Sequence, residues 1–246
     1  MSKVYLARDE AANGLLVAIK EVIDAANKTE EATERLRAES NILKSISHPS
    51  IVIGKPVEVG NKIFLVMEYA EEGTLRDKLA DGPVDFQTVE KVMKSVLNAL
   101  VVIHDQGLVH RDIKPENILC FRNGSFKLSD FGLARELGSS TLTEDNFVMG
   151  TVAYIPPEYV ETGETDYRGD LYALGITLHE LLTGATPFAG LNTIETLKRK
   201  FLPNQSEKLF QYRIPRKLIH LFEKLSHPKV NERCQSAEKA LKLLED

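Results

Sequence analysis

Apolar positions follow two different rhythms along the chain. Between Val4 and Tyr69 they come in short runs: Val4–Ala7, Leu15–Ile19, Ile51–Ile53, Val57–Val59 and Ile63–Met67. Short apolar runs punctuated by Gly, Asn or Pro predict β-strands, and Asn13-Gly14 and Gly60-Asn61 read as hairpin turns between them. One helical stretch interrupts the strands at about Thr29–Ser47. Glu30, Glu31 and Glu34 crowd its start, Lys44 sits near its end, and Leu36, Leu43 and Ile46 share a face. Beyond Gly73 the spacing changes to three and four. Phe86–His104 carries Val89, Val92, Met93, Val96, Leu97 and Leu100, and Asp170–Thr183 is apolar nearly all round, which predicts a buried helix. Shorter helices are predicted at Ile194–Phe201, Pro215–Leu225 and Ser236–Leu244. The irregular region Asp105–Glu158 holds short strands near Ile118–Phe121 and Phe126–Leu128. The pattern predicts an α+β protein with a sheet-rich lobe over residues 1–69 and a larger, mainly helical lobe over residues 70–246.

Composition narrows the function classes. With 31 Lys and Arg against 36 Asp and Glu, the net charge of −5 argues against a nucleic-acid partner. Cys120 and Cys234 are too few for a disulfide framework or a zinc site, and they suit a reducing, cytoplasmic setting. The uncharged stretch Leu171–His179 is too short to span a membrane, and no signal-peptide core precedes it.

Chemistry concentrates in His110-Arg111-Asp112-Ile113-Lys114-Pro115-Glu116-Asn117. A carboxylate, an ammonium and an amide so closely spaced can receive a proton, stabilise developing negative charge and offer oxygen to a hard cation. The string resembles the catalytic loop of eukaryotic-type (Hanks-type) Ser/Thr protein kinases, H-R-D-x-K-x-x-N. Other landmarks of that family follow in order, so the resemblance covers essentially the whole chain. It implies a two-lobed protein kinase fold that uses ATP and Mg²⁺ to phosphorylate a Ser or Thr hydroxyl of a protein substrate. Asp112 is then the group that accepts or orients the hydroxyl proton, Lys114 reaches the transferring phosphate, and Asn117 ligates the metal.

Asp130-Phe131-Gly132 lies 18 residues after Asp112 and resembles the D-F-G element, with Asp130 on the phosphate-bridging Mg²⁺. Val17-Ala18-Ile19-Lys20 resembles V-A-I-K, which places Lys20 on the α- and β-phosphates with Glu39 as its partner. Ile63–Met67 with Glu68-Tyr69-Ala70 resembles the last strand and hinge. Met67 would be the gatekeeper, the backbone of Glu68 and Ala70 would bind adenine, and Val4, Ala18 and Leu119 would sandwich the ring. Gly150-Thr151 through Pro157-Glu158 resembles the end of the activation segment, with Thr151 contacting Asp112 and Lys114. Glu158 would pair with Arg233, and Asp170 would brace the catalytic loop. Arg35, Arg111 and Arg135 would together bind a phosphate on Ser139, Ser140, Thr141 or Thr143 and so switch the enzyme on, with copies of the chain phosphorylating one another. Val4 matches the valine that closes the glycine-rich flap, and Ser2 falls at its third glycine. The resemblance therefore implies a small lobe lacking its first strand and most of the flap, and leaves a non-catalytic, kinase-like binding module as the alternative function.

Overall fold

The computed structural model describes residues 2–22, 46–59, 62–131, 135–136, 151–202, 206 and 209–245. Most of the helix expected over Thr29–Ser47 lies outside them, and Arg35 and Glu39 with it.

Four antiparallel strands form the small lobe: β1 (Ser2–Asp9), β2 (Leu15–Val22), β3 (Gly54–Val59) and β4 (Lys62–Glu68), in the order β1-β2-β4-β3. Asn13-Gly14 is not a two-residue hairpin turn. The Asp9 carboxylate accepts from the Ala11 and Ala12 amides at 3.0 and 3.2 Å, which starts a 3₁₀ turn over Glu10–Ala12. Asn13 and Gly14, at φ 56° and 75°, then return the chain into β2. Pro56 sits in β3, an edge strand of the described sheet, where its missing N–H interrupts no central ladder.

Ile51–Ile53, expected as a strand of this sheet, crosses to the other lobe instead. Ile51 makes a lone parallel bridge to Leu128, and the Val52 amide donates to the Leu128 carbonyl at 2.9 Å. Both side chains are buried, so this segment fastens the lobes together.

Helices dominate the remainder: α1 (Leu75–Leu79), α2 (Phe86–Asp105), α3 (Pro157–Thr162), α4 (Tyr167–Thr183), α5 (Thr193–Arg199), α6 (Arg216–Leu225) and α7 (Ala237–Glu245). The periodicity placed α2 correctly, and the Asp85 carboxylate caps it by accepting from the Thr88 amide at 3.0 Å. The helix α4 begins three residues before Asp170, because Asp166 caps it through the Arg168 amide at 2.8 Å. As its all-round apolar character predicted, every residue of α4 from Gly169 to Leu182 is buried. It packs on α2 and α6, and α2 packs in turn on α7. At Gly175 a Cβ would come within 3.0 Å of the Leu225 Cβ and the Ser226 nitrogen, so glycine is what lets α4 approach the end of α6 so closely.

Two small ribbons complete the larger lobe: β5 (Leu108–Val109) with β8 (Arg135–Glu136), and β6 (Ile118–Cys120) with β7 (Phe126–Leu128). The fold is α+β in two lobes. Among the described residues no helix is long and apolar enough to cross a membrane.

Candidate active site

Strand β5 delivers the chain into His110-Arg111-Asp112, and a single carboxylate holds that loop from beneath. Asp170, 1% exposed, accepts from the amides of His110 and Arg111 at 2.9 and 2.8 Å and bonds His104 Nε2 at 2.9 Å. Burial, the largest influence, pushes the Asp170 carboxyl up, but the hydrogen bonds from His104 and the His110 amide work against it, and the pKa is left lowered. Arg111 has φ 67°, a left-handed conformation costly for a non-glycine residue, and its amide bond to Asp170 helps hold it there.

The Asp112 carboxylate is gripped from two sides. Lys114 Nζ donates to its two oxygens at 2.7 and 2.8 Å. Asn117 Nδ2 donates to the Asp112 carbonyl at 2.7 Å and to Oδ2 at 2.8 Å. Because Nδ2 makes both of those bonds, the amide oxygen is what Asn117 has to offer a cation.

Backbone bonds carry this loop to the next candidate residue, Asp130. The Asn117 carbonyl accepts from the Ser129 amide at 2.9 Å and from its hydroxyl at 3.0 Å. Burial lowers the His110 pKa, so the imidazole is neutral. The Asp112 amide donates to His110 Nδ1 at 3.3 Å, which leaves the proton on Nε2 to bond the Ser129 carbonyl at 3.0 Å. Phe131 meets the same ring edge-on, 4.8 Å between centroids. Asp130, thus held between Ser129 and Phe131, has φ 63° and accepts from Lys20 Nζ at 3.0 Å.

Strand register explains why Lys20 points at Asp130. Val4 lies opposite Lys20, and Ala18 and Lys20 lie opposite Met67 and Leu65, so these five side chains and Leu6, opposite Ala18, share the face of the sheet that carries Lys20. Lys20 itself is 8% exposed. Val4 is 61% exposed on that face, while Met67 is buried. Leu119, whose neighbours Ile118 and Cys120 are buried, bridges to Thr74 beside α1. The Glu68 amide donates to the Ile53 carbonyl at 3.0 Å, and the Ala70 carbonyl accepts from Gly73 at 3.2 Å.

The site brings together Lys20, Asp130, Asp112, Lys114 and Asn117. Arg135 stands opposite Val109 in the β5–β8 pair, two residues before Arg111, and Thr151 opens a 3₁₀ turn at Thr151–Ala153. Glu39, Arg35, Ser139, Ser140, Thr141 and Thr143 lie outside the described residues. Glu158 pairs with Arg233 as the sequence suggested: both carboxylate oxygens accept from the guanidinium, at 2.8 and 2.7 Å.

Sequence reasoning missed three supports. The Glu68 side chain accepts from the Ile53 amide at 2.7 Å and from Lys127 Nζ at 2.6 Å, which clamps the hinge to β7. Lys200 is 1% exposed, donates to the Ala153 carbonyl at 2.5 Å, and stacks over Phe188 and Tyr172. Burial drives its pKa well below the ordinary lysine value. Arg76 joins Glu116, Glu180 and Tyr154. Its only sequence signal was the Thr74-x-x-Asp77 capping box that starts α1.

The Lys20–Asp130 pair, with Asp130 at positive φ, and the braced Asp112-Lys114-Asn117 loop form the constellation expected of a protein kinase domain. The family model described as "Protein kinase domain" matches residues 1–243, and the chain belongs to that family. It is 35% identical over 251 residues to a probable serine/threonine-protein kinase of Clostridium perfringens, covering 100% of this chain and 36% of that protein. It is 37% identical over 242 residues to the serine/threonine-protein kinase PrkC of Bacillus subtilis, covering 97% of this chain and 37% of PrkC. To the serine/threonine-protein kinase PknL of Mycobacterium tuberculosis it is 40% identical over 176 residues, 71% of this chain and 44% of PknL. The chain thus spans less than half the length of these relatives.

Proposed function

We propose that the chain transfers the γ-phosphate of ATP to a Ser or Thr hydroxyl of a protein substrate. The observation that carries this reading is the Asp112 carboxylate, fixed by Lys114 and Asn117 on a loop whose backbone is tied to the Lys20–Asp130 pair. Asp112 orients the acceptor hydroxyl and takes its proton. Lys114 turns from Asp112 to the phosphate as negative charge develops there. Lys20 holds the α- and β-phosphates. Within the protein the Glu68 amide and the Ala70 carbonyl are already engaged, so adenine recognition falls to the Glu68 carbonyl and the Ala70 amide. Val4, Ala18, Leu119 and Met67 supply the apolar walls, and the lobes divide between residues 69 and 70.

The donor set fits Mg²⁺. Asp130 and Asn117 offer hard oxygens, and among the described residues no cluster of three His, Cys, Asp or Glu side chains forms a cage of its own. Mg²⁺ is commonly held by one or two carboxylates together with substrate phosphates, so two protein ligands suffice. When bound, the ion neutralises charge between the nucleotide phosphates.

The test is phosphate transfer from ATP to a generic protein substrate as Mg²⁺ is titrated. Transfer requires the metal and stops on chelation. Asp130→Asn raises the half-saturating Mg²⁺ concentration and lowers the rate about 10²- to 10³-fold, the usual cost of losing one charge-stabilising group. Full transfer in excess chelator, or an unchanged Mg²⁺ response in Asp130→Asn, would contradict the assignment.

A further inference from the structure

Beside Asp112 lies an acidic pair whose cation comes from the chain itself. Glu116 sits one residue before Asn117 in the catalytic loop, and Glu180 projects from α4 with its residue only 4% exposed. Tyr154, three residues after Thr151, completes the group. A carboxylate as deeply buried as Glu180 requires a positive partner.

Arg76 supplies it. Leu75 and Leu79 are buried and pin the short helix α1, which fixes where the Arg76 side chain leaves it. Nη1 donates to Glu180 Oε1 at 2.7 Å, and Nη2 to Oε2 at 3.3 Å. Nε donates to Glu116 Oε1 at 2.8 Å, and Nη2 also reaches the Tyr154 hydroxyl at 3.0 Å. The Tyr154 hydroxyl in turn donates a short bond to Glu180 Oε2. Desolvation, the largest influence on the guanidinium, lowers its pKa, yet the bonds to Glu180 and Glu116 leave it raised. Both oxygens of Glu180 and one of Glu116 are therefore taken, and all three guanidinium nitrogens are used.

The surroundings of this knot are those an acceptor peptide must meet, because Glu116 lies four residues from Asp112 and Tyr154 belongs to the segment that opens at Thr151. A peptide cation arriving here would compete with a guanidinium already forked onto the same carboxylates. We propose that Arg76 is a specificity-determining residue: it fills, from within the chain, an acidic subsite formed by Glu116 and Glu180, and so removes any preference for acceptors carrying Arg or Lys at the position this subsite reads. The inference rests on the protein-phosphorylating reading above and names its substrate class. These are acceptors chosen without a basic residue at that subsite.

The experiment walks one arginine through the positions on either side of the acceptor in an otherwise constant peptide, comparing kcat/KM for the full chain and for Arg76→Ala. For the wild type, the walked arginine gives no gain that depends on Glu116, so Glu116→Gln leaves its profile unchanged. For Arg76→Ala, one or two positions gain about 10- to 100-fold, the weight of a charge-assisted hydrogen bond, and the gain disappears in Arg76→Ala/Glu116→Gln. A wild-type arginine preference that Glu116→Gln abolishes would overturn the proposal, and so would a flat profile in folded Arg76→Ala. Should Arg76→Ala prove too unstable to assay, the Glu116→Gln arm decides alone. Thermal unfolding with millimolar methylguanidinium adds a readout without catalysis: the ion raises the melting temperature of Arg76→Ala and leaves the wild type unmoved. An equal response of both proteins would count against an opened cation site. If no peptide is phosphorylated at all, the kinase reading fails, while the methylguanidinium arm still reports on the subsite.

Discussion

Replacing Arg233 with methionine lowers the unfolding free energy by about 3–5 kcal/mol, the cost of stranding one partner of a buried ion pair. The Arg233 side chain is 0% exposed and forks onto Glu158, which is 16% exposed. The guanidinium also donates to the His227 carbonyl at 3.0 Å and the Arg168 carbonyl at 2.8 Å, and it lies over the Tyr172 ring. Methionine fills the volume but leaves those carbonyls and a largely buried carboxylate without their donors. For a domain of this size the loss corresponds to a melting temperature lower by about 6–20 °C. Urea unfolding checks it: the midpoint falls with little change in slope, and Arg233→Met/Glu158→Gln recovers part of the loss because the stranded charge is gone. A midpoint unchanged in Arg233→Met would mean that this pair does not anchor the end of the activation segment.

Lys20→Met lowers kcat for phosphate transfer by about 10²- to 10³-fold while leaving the fold intact. Lys20 is nearly buried on the sheet and faces Asp130, so on the proposed reading its loss removes a phosphate contact and releases the carboxylate proposed to hold Mg²⁺. Methionine keeps most of the stem that packs beside Leu65 and Met67. The effect therefore falls on the chemical step more than on stability. Steady-state kinetics with circular dichroism on the same sample separates the two. Wild-type turnover in Lys20→Met would remove this lysine from the reaction.

What could be read from the chain depended on how far apart the cooperating residues lie. Strands β2 and β4 and helices α2 and α4 are long enough for their apolar rhythm to declare them. The five-residue α1 buries only Leu75 and Leu79, too little for a period to show. Ile51–Ile53 carries a strand-like composition, but its partner is Leu128, which no local pattern reveals. The chemistry was legible because Asp112, Lys114 and Asn117 occupy one short string and fold onto one another. The Arg76–Glu180 fork joins residues 104 apart, and Lys200 reaches 47 residues back to Ala153, so both arise from tertiary packing alone. Lys20 and Asp130, 110 residues apart, were each found through a separate motif resemblance, but their direct contact was not expected, because the resemblance paired Lys20 with Glu39.

The central claim is that the braced Asp112 loop moves phosphate from ATP to a protein hydroxyl. Its most direct test is mass-spectrometric mapping of phosphate on a protein substrate after incubation with MgATP and either the wild-type chain or Asp112→Asn. The amide keeps the shape of Asp112 but cannot take a proton, so the account predicts phosphoserine or phosphothreonine with the wild type and transfer about 10²- to 10⁴-fold slower with the variant. A wild-type chain that binds MgATP yet leaves the substrate unmodified, or equal modification by the two proteins, would contradict it.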